Sequence, residues 1–336
     1  MRAVLVTGPE KAKVVDVPTP NVGPNDVLVR IRACGICGTD TLYIAIGGLP
    51  PRHVCMPIGH EPAGEVVEVG SDVSDVAVGN RVVVNPMAVA DDIIGNGGSS
   101  GALADYLLIR DAVRGRSLEV VPDHIPYEVA ALNEPMAVAR HAVNQVAPRQ
   151  GDQVLVLGAG PIGLGITIAL KSIGVKHVVV ADIVASRLEK ALKVGADAVI
   201  NSKDEDVAAR LIELHGPGDS MWPGRAGTDI FLDAAGVPAA VDAALAAAKR
   251  GAKLGVVAVH KEPISMDFMN VMSNELTIIG SMGYPKEIFE VTKDIVENWE
   301  KYQVVISHTF DLDDLQEALQ CVATPGAADK VIITMR

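Results

Sequence analysis

Two patterns of hydrophobic and polar positions divide the chain. Up to about residue 145, short apolar runs alternate with polar positions and are separated by Gly and Pro, for example at 27–35, 64–73 and 79–86. Short strands with frequent turn signals predict a β-rich unit. The stretch 87–107 contains a cluster of Gly, Ser and Asn, and we predict a loop there.

From Gly151 onward the pattern changes to strand, turn, helix and strand. Further strands are predicted at 197–201, 228–236, 253–259 and 276–282, with helices between them such as 185–195 and 238–251. Strands that alternate with helices indicate βαβ units and a parallel sheet. We therefore predict an α/β protein in which residues 146–282 form a doubly wound parallel sheet. Residues 1–145 and 283–336, which end in a strand at 329–335, form a second, β-rich domain.

Composition narrows the classes of function. The 336 residues are 49% hydrophobic and 21% charged, so the chain can bury two cores. A net charge of −13 offers no basic face, which argues against a nucleic-acid partner. The four cysteines do not form a disulfide scaffold, the first residues alternate like a strand, and no apolar stretch is long enough to span a bilayer. These features predict a cytoplasmic protein without a membrane partner.

A glycine-rich turn follows the apolar run VLVL at 154–157. Gly158, Gly160 and Gly163 match G-x-G-x-x-G, and Pro161 and Ile162 open the helix that follows. In this strand–turn–helix context the motif indicates dinucleotide binding rather than an ordinary turn. The first glycine permits the tight turn, the second lets the pyrophosphate approach, and the third lets helix and strand pack closely. Amides at the helix N-terminus then hold the phosphates.

Asp182 ends the next predicted strand, about 20 residues beyond the glycines, the spacing typical of the ribose-binding acid. Its carboxylate there bonds the adenosine ribose hydroxyls and repels a 2′-phosphate, so we favour NAD over NADP. Arg187 lies five residues further on, where it can stack on adenine. Because Arg187 is positively charged, NADP remains the second choice of cofactor.

Four residues scattered along the first half carry side chains that can bind zinc: Cys37, His60, Glu61 and Glu134. A catalytic zinc site needs three such ligands and an open position. Taken singly, each residue type is more often structural or solvated. Cys34 and Cys37 also form C-x-x-C, a redox motif or half of a structural zinc site, but the chain has no second pair.

Taken together, the motifs resemble those of the zinc-containing medium-chain alcohol dehydrogenases. The resemblance runs in order through nearly the whole chain and is closest to the butanediol, sorbitol and threonine dehydrogenase branch. The segments that carry it are GICGTD (35–40), GHEPAGEV (59–66), VGSDV (69–73), GNRVVVNP (79–86), EPMAVARHAV (134–143) and VLVLGAGPIGLG (154–165). It implies a Rossmann cofactor domain and a GroES-like catalytic domain.

The resemblance also implies roles for individual residues. Cys37, His60 and Glu134 would hold one catalytic zinc, with Glu61 as a close neighbour or exchanging ligand. Asp40 would contact His60 without binding the metal and so fix the orientation of its ring. Thr39 would begin the proton relay, and Lys330 would lie near the cofactor phosphates. Thr39, Asp40 and Glu61 are thus the expected catalytic residues besides the metal ligands.

Two departures from the family pattern change these expectations. Relatives carry four closely spaced cysteines for a structural zinc, whereas residues 87–101 contain none, so we expect one zinc per chain. Relatives also place a histidine three residues after the relay hydroxyl, where this chain has Leu42. The proton must then leave by another way, through ribose hydroxyls and water.

Signals for the substrate are weaker. Gly283 stands beside Tyr284 where sorbitol dehydrogenases carry arginine, and the spacing of Gly280 and Tyr284 is closer to butanediol dehydrogenases. Tyr43, Ile44 and Ile46 are candidates for the pocket wall or for ordinary core. These features leave the substrate class as broad as the branch itself.

The function expected from the resemblance is hydride transfer between NAD and a small secondary alcohol, vicinal diol or polyol and its ketone. A homodimer or homotetramer joined near residues 276–282 is implied. One alternative keeps the fold as a metal-free, NADP-linked quinone or enoyl reductase, and a third possibility is an NAD-binding protein without turnover.

Overall fold

The structure is a computed structural model that describes residues 1–49, 55–88, 92–324 and 326–336. Residues 89–91 of the predicted loop 87–107 lie outside the described residues, and the end of that stretch begins a strand. Among the described residues, no helix combines the length and the apolar composition that crossing a membrane requires.

Sixteen strands and ten α-helices are found in the described residues. The strands are β1 (Arg2–Gly8), β2 (Lys11–Asp16), β3 (Val27–Gly35), β4 (Met56–Pro57), β5 (Glu61–Val69), β6 (Arg81–Val84), β7 (Tyr106–Ile109), β8 (Leu118–Val121), β9 (Gln153–Leu157), β10 (His177–Asp182), β11 (Ala198–Asn201), β12 (Ile230–Asp233), β13 (Lys253–Val256), β14 (Thr277–Gly280), β15 (Ile306–Asp311) and β16 (Lys330–Thr334). The helices are α1 (Gly38–Ile46), α2 (Tyr127–Ala130), α3 (Asn133–Val146), α4 (Pro161–Ser172), α5 (Ala185–Val194), α6 (Val207–His215), α7 (Pro238–Ala247), α8 (Phe268–Ser273), α9 (Glu290–Gln303) and α10 (Leu315–Ala323), with a 3-10 turn at Leu312–Asp314.

The chain separates into two compact units. Residues 1–134 and 288–336 form unit 1, and residues 135–287 form unit 2. The boundaries expected from the sequence, 145/146 and 282/283, fall inside α3 and two residues after β14. The division into domains at these two boundaries stays a prediction.

Unit 1 is built mainly of antiparallel strands. Its larger sheet has the order β15-β16-β3-β5-β6-β8, with β7 also paired to β3, and a smaller sheet has the order β2-β1-β4. The β15–β16 pair is parallel. Residues of β3 and Val66 of β5 are buried in one apolar core together with residues of β1, β6, β7 and β16. Strand β3 is central to this unit, so the loop that follows it is firmly anchored.

Unit 2 contains a six-stranded parallel sheet in the order β11-β10-β9-β12-β13-β14. Strand β9 is fully buried, as expected for an apolar run covered by helices on both faces. The chain moves outward from β9 through β10 and β11, then returns to β9's other side for β12. The predicted fold class, a doubly wound parallel sheet plus a β-rich unit, is confirmed.

The end of this sheet opposite the glycine turn holds two contacting histidines, the buried His215 and the half-buried His177. His215 ends α6, and its ring nitrogens lie 2.7 Å from Thr228 Oγ1 and 2.9 Å from Nδ1 of His177. Burial, followed by the neighbouring charge of His177, lowers the pKa of His215 from its ordinary value of 6.5 to about 4. The folded protein therefore keeps His215 neutral at a pH where an unfolded chain protonates it.

This pair predicts acid sensitivity of folding. Because the folded pKa of His215 lies below the unfolded value, the free energy of unfolding falls as pH drops from about 6.5 to about 4. We expect His215→Gln to reduce the difference between urea unfolding at about pH 7 and about pH 5. The exposed His124→Gln serves as the control and should behave like the parent. An unchanged difference in the His215 variant would contradict this assignment.

Candidate functional site

Strand register in unit 1 brings distant residues of the sequence together. In the antiparallel β3–β5 pair, Gly35 lies opposite Glu61 and Cys34 opposite Pro62. Cys37 lies two residues after the end of β3, and His60 immediately precedes β5. The end of one strand and the start of the other therefore carry these side chains to the same place.

Cys37, His60 and Glu61 form one cluster in which a ligand atom of each lies within 4.8 Å of the other two. His60 and Glu61 are buried and Cys37 is half-buried. A thiolate, an imidazole and a carboxylate are the donor types that zinc takes in catalytic sites with three protein ligands. The cluster therefore fits a zinc ion on the chemistry of its donors.

Asp40 connects the two loops that carry these donors. It lies in the first turn of α1 with a fully buried side chain. Oδ2 accepts a hydrogen bond from the amide of Cys37 at 2.9 Å, and Oδ1 accepts one from the amide of Gly59 at 3.2 Å. Oδ1 also lies 3.5 Å from Nδ1 of His60. Nδ1 thus faces the carboxylate, which leaves Nε2 as the ring atom for a metal.

The electrostatics of the cluster favour positive charge. Burial lowers the pKa of His60, but the charge of Asp40 and the contacts with Asp40 and Cys37 outweigh it and hold the pKa well above its ordinary range. Thr39 donates a hydrogen bond from Oγ1 to Sγ of Cys37 at 2.9 Å. Asp40 and Cys37, which favour the protonated form of His60, would likewise stabilise a cation bound beside it.

Lys330 lies in the same part of unit 1. It is buried at the start of β16, forms an ion pair with Glu61, and donates to the carbonyl oxygen of Ile36 at 3.1 Å. Burial lowers the pKa of Lys330, but the charges of Glu61 and Cys37 raise it by more. A Cβ at Gly35 would lie 2.8 Å from Cε of Lys330, so only glycine leaves room for the ion pair. Lys330 is thus a buried lysine and not a solvated one.

The other candidate residues of unit 1 differ in position. Glu134 lies in the first turn of α3, is buried, and its charge contributes to raising the pKa of Lys330. It is not among the three residues whose ligand atoms lie within 4.8 Å of one another. Cys34 faces the apolar core, and burial raises the pKa of its thiol. A buried thiol of this kind is a poor redox partner for Cys37.

The glycine turn of unit 2 has the geometry of a phosphate-binding turn. Gly158 follows β9 with φ of +95°, and a Cβ there would lie 2.9 Å from the amide nitrogen of Ala235. A Cβ at Gly163 would collide with the carbonyl oxygen of Gly158. Gly160 caps α4, with Pro161 as the first helical residue, and a Cβ there would meet no atom within 4 Å. The open space at Gly160 is where a pyrophosphate fits.

Asp182 closes the other side of this turn. It ends β10, and its carboxylate accepts hydrogen bonds from the amides of Ala159 at 2.7 Å and Val184 at 2.8 Å. Arg187 lies in α5, and Ile162 in the first turn of α4. The glycine turn and the acid are therefore adjacent at the carboxyl end of the sheet, as a dinucleotide site requires.

Comparison with known proteins identifies the family of the chain. The model for "Alcohol dehydrogenase GroES-like domain" matches residues 23–115, and that for "Zinc-binding dehydrogenase" matches residues 161–298. L-threonine 3-dehydrogenase of Pectobacterium carotovorum is 30% identical over 99% of this chain and 98% of its own. The chain belongs to the zinc-containing medium-chain alcohol dehydrogenase family. Sorbitol dehydrogenase of Bacillus subtilis is 29% identical over 95% of this chain and 93% of its own.

Solved structures of the family match the whole chain. The crystal structure of 2R,3R-butanediol dehydrogenase from Bacillus subtilis superposes with a TM-score of 0.86, 26% identity and 99% coverage of both chains. A zinc-binding dehydrogenase from Sinorhizobium meliloti 1021, bound to NADP, has a TM-score of 0.87, 26% identity and coverage of 99% and 98%. An alcohol dehydrogenase from Escherichia coli CFT073, complexed with NADH, has a TM-score of 0.84, 26% identity and 99% coverage of both chains.

Family membership identifies the dehydrogenase as an oxidoreductase of the alcohol dehydrogenase type. The metal-free quinone or enoyl reductase receives no support from these relatives. The expected branch is confirmed by the sorbitol, threonine and butanediol dehydrogenase relatives. The roles of individual site residues in the dehydrogenase stay predictions.

Some features of the site were not expected from the sequence. Neither the Glu61–Lys330 ion pair nor the need for glycine at position 35 carries a local signal, because the residues meet only through strand register. Tyr43 and Ile44 lie on α1 and pack against the core of unit 1, while Ile46 is exposed. Tyr43 also donates a hydrogen bond to Asn96 at 3.1 Å, so at least part of its role is structural.

The Asp40 contacts predict a metal-affinity defect. Asp40→Asn keeps the shape but removes the charge that faces His60, and we expect zinc affinity to fall about 10- to 100-fold. Competition with a coloured chelator measures the affinity, and circular dichroism checks the fold. Asp72→Asn, at an exposed position, is the matched control. Equal affinity in the Asp40 variant and the control would show that Asp40 does not support the metal ligands.

Proposed function

We propose that the dehydrogenase is a zinc-dependent, NAD-linked enzyme that interconverts a small secondary alcohol, vicinal diol or polyol and its ketone. The observation that carries the proposal is the cluster of Cys37, His60 and Glu61 in a chain of this family. Sorbitol, threonine and butanediol, which name the relatives, all carry a secondary hydroxyl beside a second polar carbon. That shared group defines the substrate class.

The residues of unit 1 have distinct proposed roles. Cys37, His60 and one acid, Glu61 or Glu134, hold the metal, and Asp40 keeps Cys37 and His60 in place. When bound, zinc supplies Lewis-acid polarisation of the substrate oxygen and NAD supplies the hydride acceptor. If Glu134 takes the ligand position, Glu61 keeps its ion pair with Lys330; if Glu61 takes it, Lys330 is left to attract another anion. Lys330 near a cofactor phosphate fits the second arrangement.

Thr39 is the proposed first proton acceptor. Its Oγ1 donates a hydrogen bond to Sγ of Cys37, and its lone pairs can accept one from the substrate hydroxyl. To pass a proton on, the Thr39 hydroxyl must turn its own hydrogen from Sγ toward a further acceptor. Leu42, three residues on in α1, cannot be that acceptor. With NAD bound, its ribose hydroxyls and water would supply one. Loss of the hydroxyl in a Thr39 variant removes this route without removing a metal ligand.

The proposed cofactor preference is NAD, with Asp182 as the selecting residue. Its carboxylate is placed beside the glycine turn by two backbone amides. An anion at the end of this strand repels the 2′-phosphate of NADP and accepts hydrogen bonds from the ribose hydroxyls of NAD. Arg187 in α5 carries the positive charge that would favour NADP instead, and related structures hold either NADP or NADH.

We also propose a cytoplasmic location, which the four free cysteines support.

A panel of secondary alcohols, vicinal diols, polyols and hydroxy amino acids, assayed with NAD and with NADP, tests the function. We expect turnover of a diol or polyol with NAD preferred, loss of activity on zinc chelation, and recovery when zinc is added back. Cys37→Ser should reduce activity by roughly 100-fold or more, because it removes a proposed metal ligand and not only a residue that supports one. Cys55→Ser, at an exposed cysteine, should not.

Three results would contradict the proposal. Full activity in metal-free protein would remove zinc from the reaction. Reduction of α,β-unsaturated carbonyls without metal would favour the quinone or enoyl reductase. Tight NAD binding without turnover of any alcohol on the panel would favour a binding protein that is not an enzyme.

We propose that two copies associate through the free edge of the parallel sheet, giving a homodimer or, by a second contact, a homotetramer. Strand β14 ends the sheet, and its residues are mostly exposed in the single chain. Apolar side chains flank it: Met282 is 90% exposed and Phe268 73% exposed. An exposed, apolar edge strand is a template for pairing with another chain.

The free edge predicts a change in mass. Ile278→Lys with Met282→Lys places charge on the edge, and we expect the assembly to dissociate into smaller species in sedimentation velocity. Ile183→Lys, at an exposed position elsewhere in unit 2, should leave the mass unchanged. A parent protein that sediments as a monomer, or a double variant with the parent mass, would rule out this interface.

A further inference from the structure

A histidine–carboxylate pair lies beyond the carboxyl ends of two strands in unit 2, with Asp233 at the end of β12 and half-buried His260 in the loop after β13. Asp233 ends β12 and is fully buried, and Nε2 of His260 lies 2.6 Å from its Oδ2. Its Oδ1 accepts hydrogen bonds from the amides of Ala235 at 3.0 Å and Gly236 at 3.1 Å. The carboxylate is therefore fully engaged, and it holds the imidazole in one orientation.

The pair is placed at the point where the sheet reverses direction. Asp233 and Ala181 lie on opposite sides of Leu157, the last residue of β9, in the sheet register. The reversal lies between β9 and β12, which is where doubly wound sheets bind a dinucleotide outside the strand ends. The histidine–carboxylate pair thus belongs to the same crevice as the glycine turn.

Backbone contacts connect the pair to the glycine turn. A Cβ at Gly158 would lie 2.9 Å from the amide nitrogen of Ala235, and a Cβ at Gly236 would lie 2.9 Å from the carbonyl oxygen of Val259. The loop after β12 therefore contacts the turn on one side and the segment just before His260 on the other. A ligand seated at the turn meets this loop as its next neighbour.

The imidazole has an unused hydrogen-bonding atom. Nδ1 of His260 is buried, and among the described residues it has no hydrogen-bond partner. Because a carboxylate only accepts, the proton of a neutral ring lies on Nε2 and Nδ1 is an acceptor. A buried acceptor without a partner costs free energy, so a site of this kind is expected to receive a donor from a ligand.

We propose that His260 is a positioning residue for the nicotinamide half of the dinucleotide, an inference that rests on the proposed function. Nδ1 accepts a hydrogen bond from a donor on that half, either a ribose hydroxyl or the carboxamide amine. The half-sheet β9-β10-β11, with Gly158 and Asp182, takes the adenosine half, so the half-sheet that carries His260 takes the other. Asp233 acts through His260, because its carboxylate accepts from Nε2 and so selects the tautomer of the neutral ring in which Nδ1 is the acceptor.

Equilibrium binding to the intact protein tests this role without turnover. The probes are NADH, ADP-ribose, which lacks the nicotinamide ring, and AMP, which lacks that whole half. His260→Gln retains a donor to Asp233 and removes the acceptor at the Nδ1 position. We expect its Kd for NADH to rise about 5- to 10-fold, the worth of one hydrogen bond, with an unchanged Kd for AMP.

Two further variants sharpen the test. In Asp233→Asn the side-chain amide donates to Nε2 and moves the ring proton to Nδ1, so the Kd for NADH should also rise while that for AMP stays unchanged. His124→Gln, at an exposed position in unit 1, should bind all three probes like the parent. If ADP-ribose weakens with NADH, the donor is a ribose hydroxyl; if only NADH weakens, it is the carboxamide.

Parental NADH affinity in His260→Gln would overturn the proposal, because it would show that the histidine serves only to satisfy Asp233. Equal weakening of AMP would also overturn it, since that result indicates a distorted sheet. A parent protein that binds no NADH would instead refute the proposed function, whatever the variants do.

Discussion

The carboxylate of Asp40 accepts hydrogen bonds from two loops at once, one that leaves β3 and one that enters β5. Both loops carry a proposed metal ligand, and neither contains a helix or strand at the ligand itself. A fully buried charge that bonds two backbone amides holds those loops more strictly than surface contacts do. Strand register brings Cys37 and His60 together, and the Asp40 side chain ties the two loops that carry them.

Burial also determines the charge balance around the cluster. Glu61 and Asp40 are buried acids that lie beside the half-buried Cys37 in space, and a buried carboxylate is costly unless a cation compensates it. Lys330 compensates Glu61 directly, and the charge of Asp40 with the contacts of Asp40 and Cys37 raises the pKa of His60 well above its ordinary range. The same field would stabilise a divalent cation, and Gly35 is small enough to let the compensating pair form.

In unit 2 the corresponding constraint is the parallel register around β9. Leu157 lies between Ala181 on one side and Asp233 on the other, so the acids Asp182 and Asp233 flank the glycine turn. Each acid is held by backbone amides, and each is aimed differently: Asp182 toward the turn itself and Asp233 toward His260. One strand end would therefore organise both halves of the proposed dinucleotide site.

Local sequence determined the elements and the cofactor turn. The buried strand β9, the positive φ of Gly158 and the place of Asp182 at a strand end follow from apolar runs, glycine spacing and the length of one βα unit, all within about 30 residues. Such short-range features depend on backbone conformation and need no distant partner. Cys37, His60 and Glu61 were named only because their motifs resemble those of a family.

Tertiary structure alone decided which side chains meet. Glu61 rather than Glu134 joins Cys37 and His60 within one cluster, and Lys330 pairs with Glu61 across β3. His260 reaches Asp233 from the loop after β13. Strand register selects these contacts. A shift of one residue would turn every side chain of a strand to the opposite face, and no local pattern in the chain specifies register between distant strands.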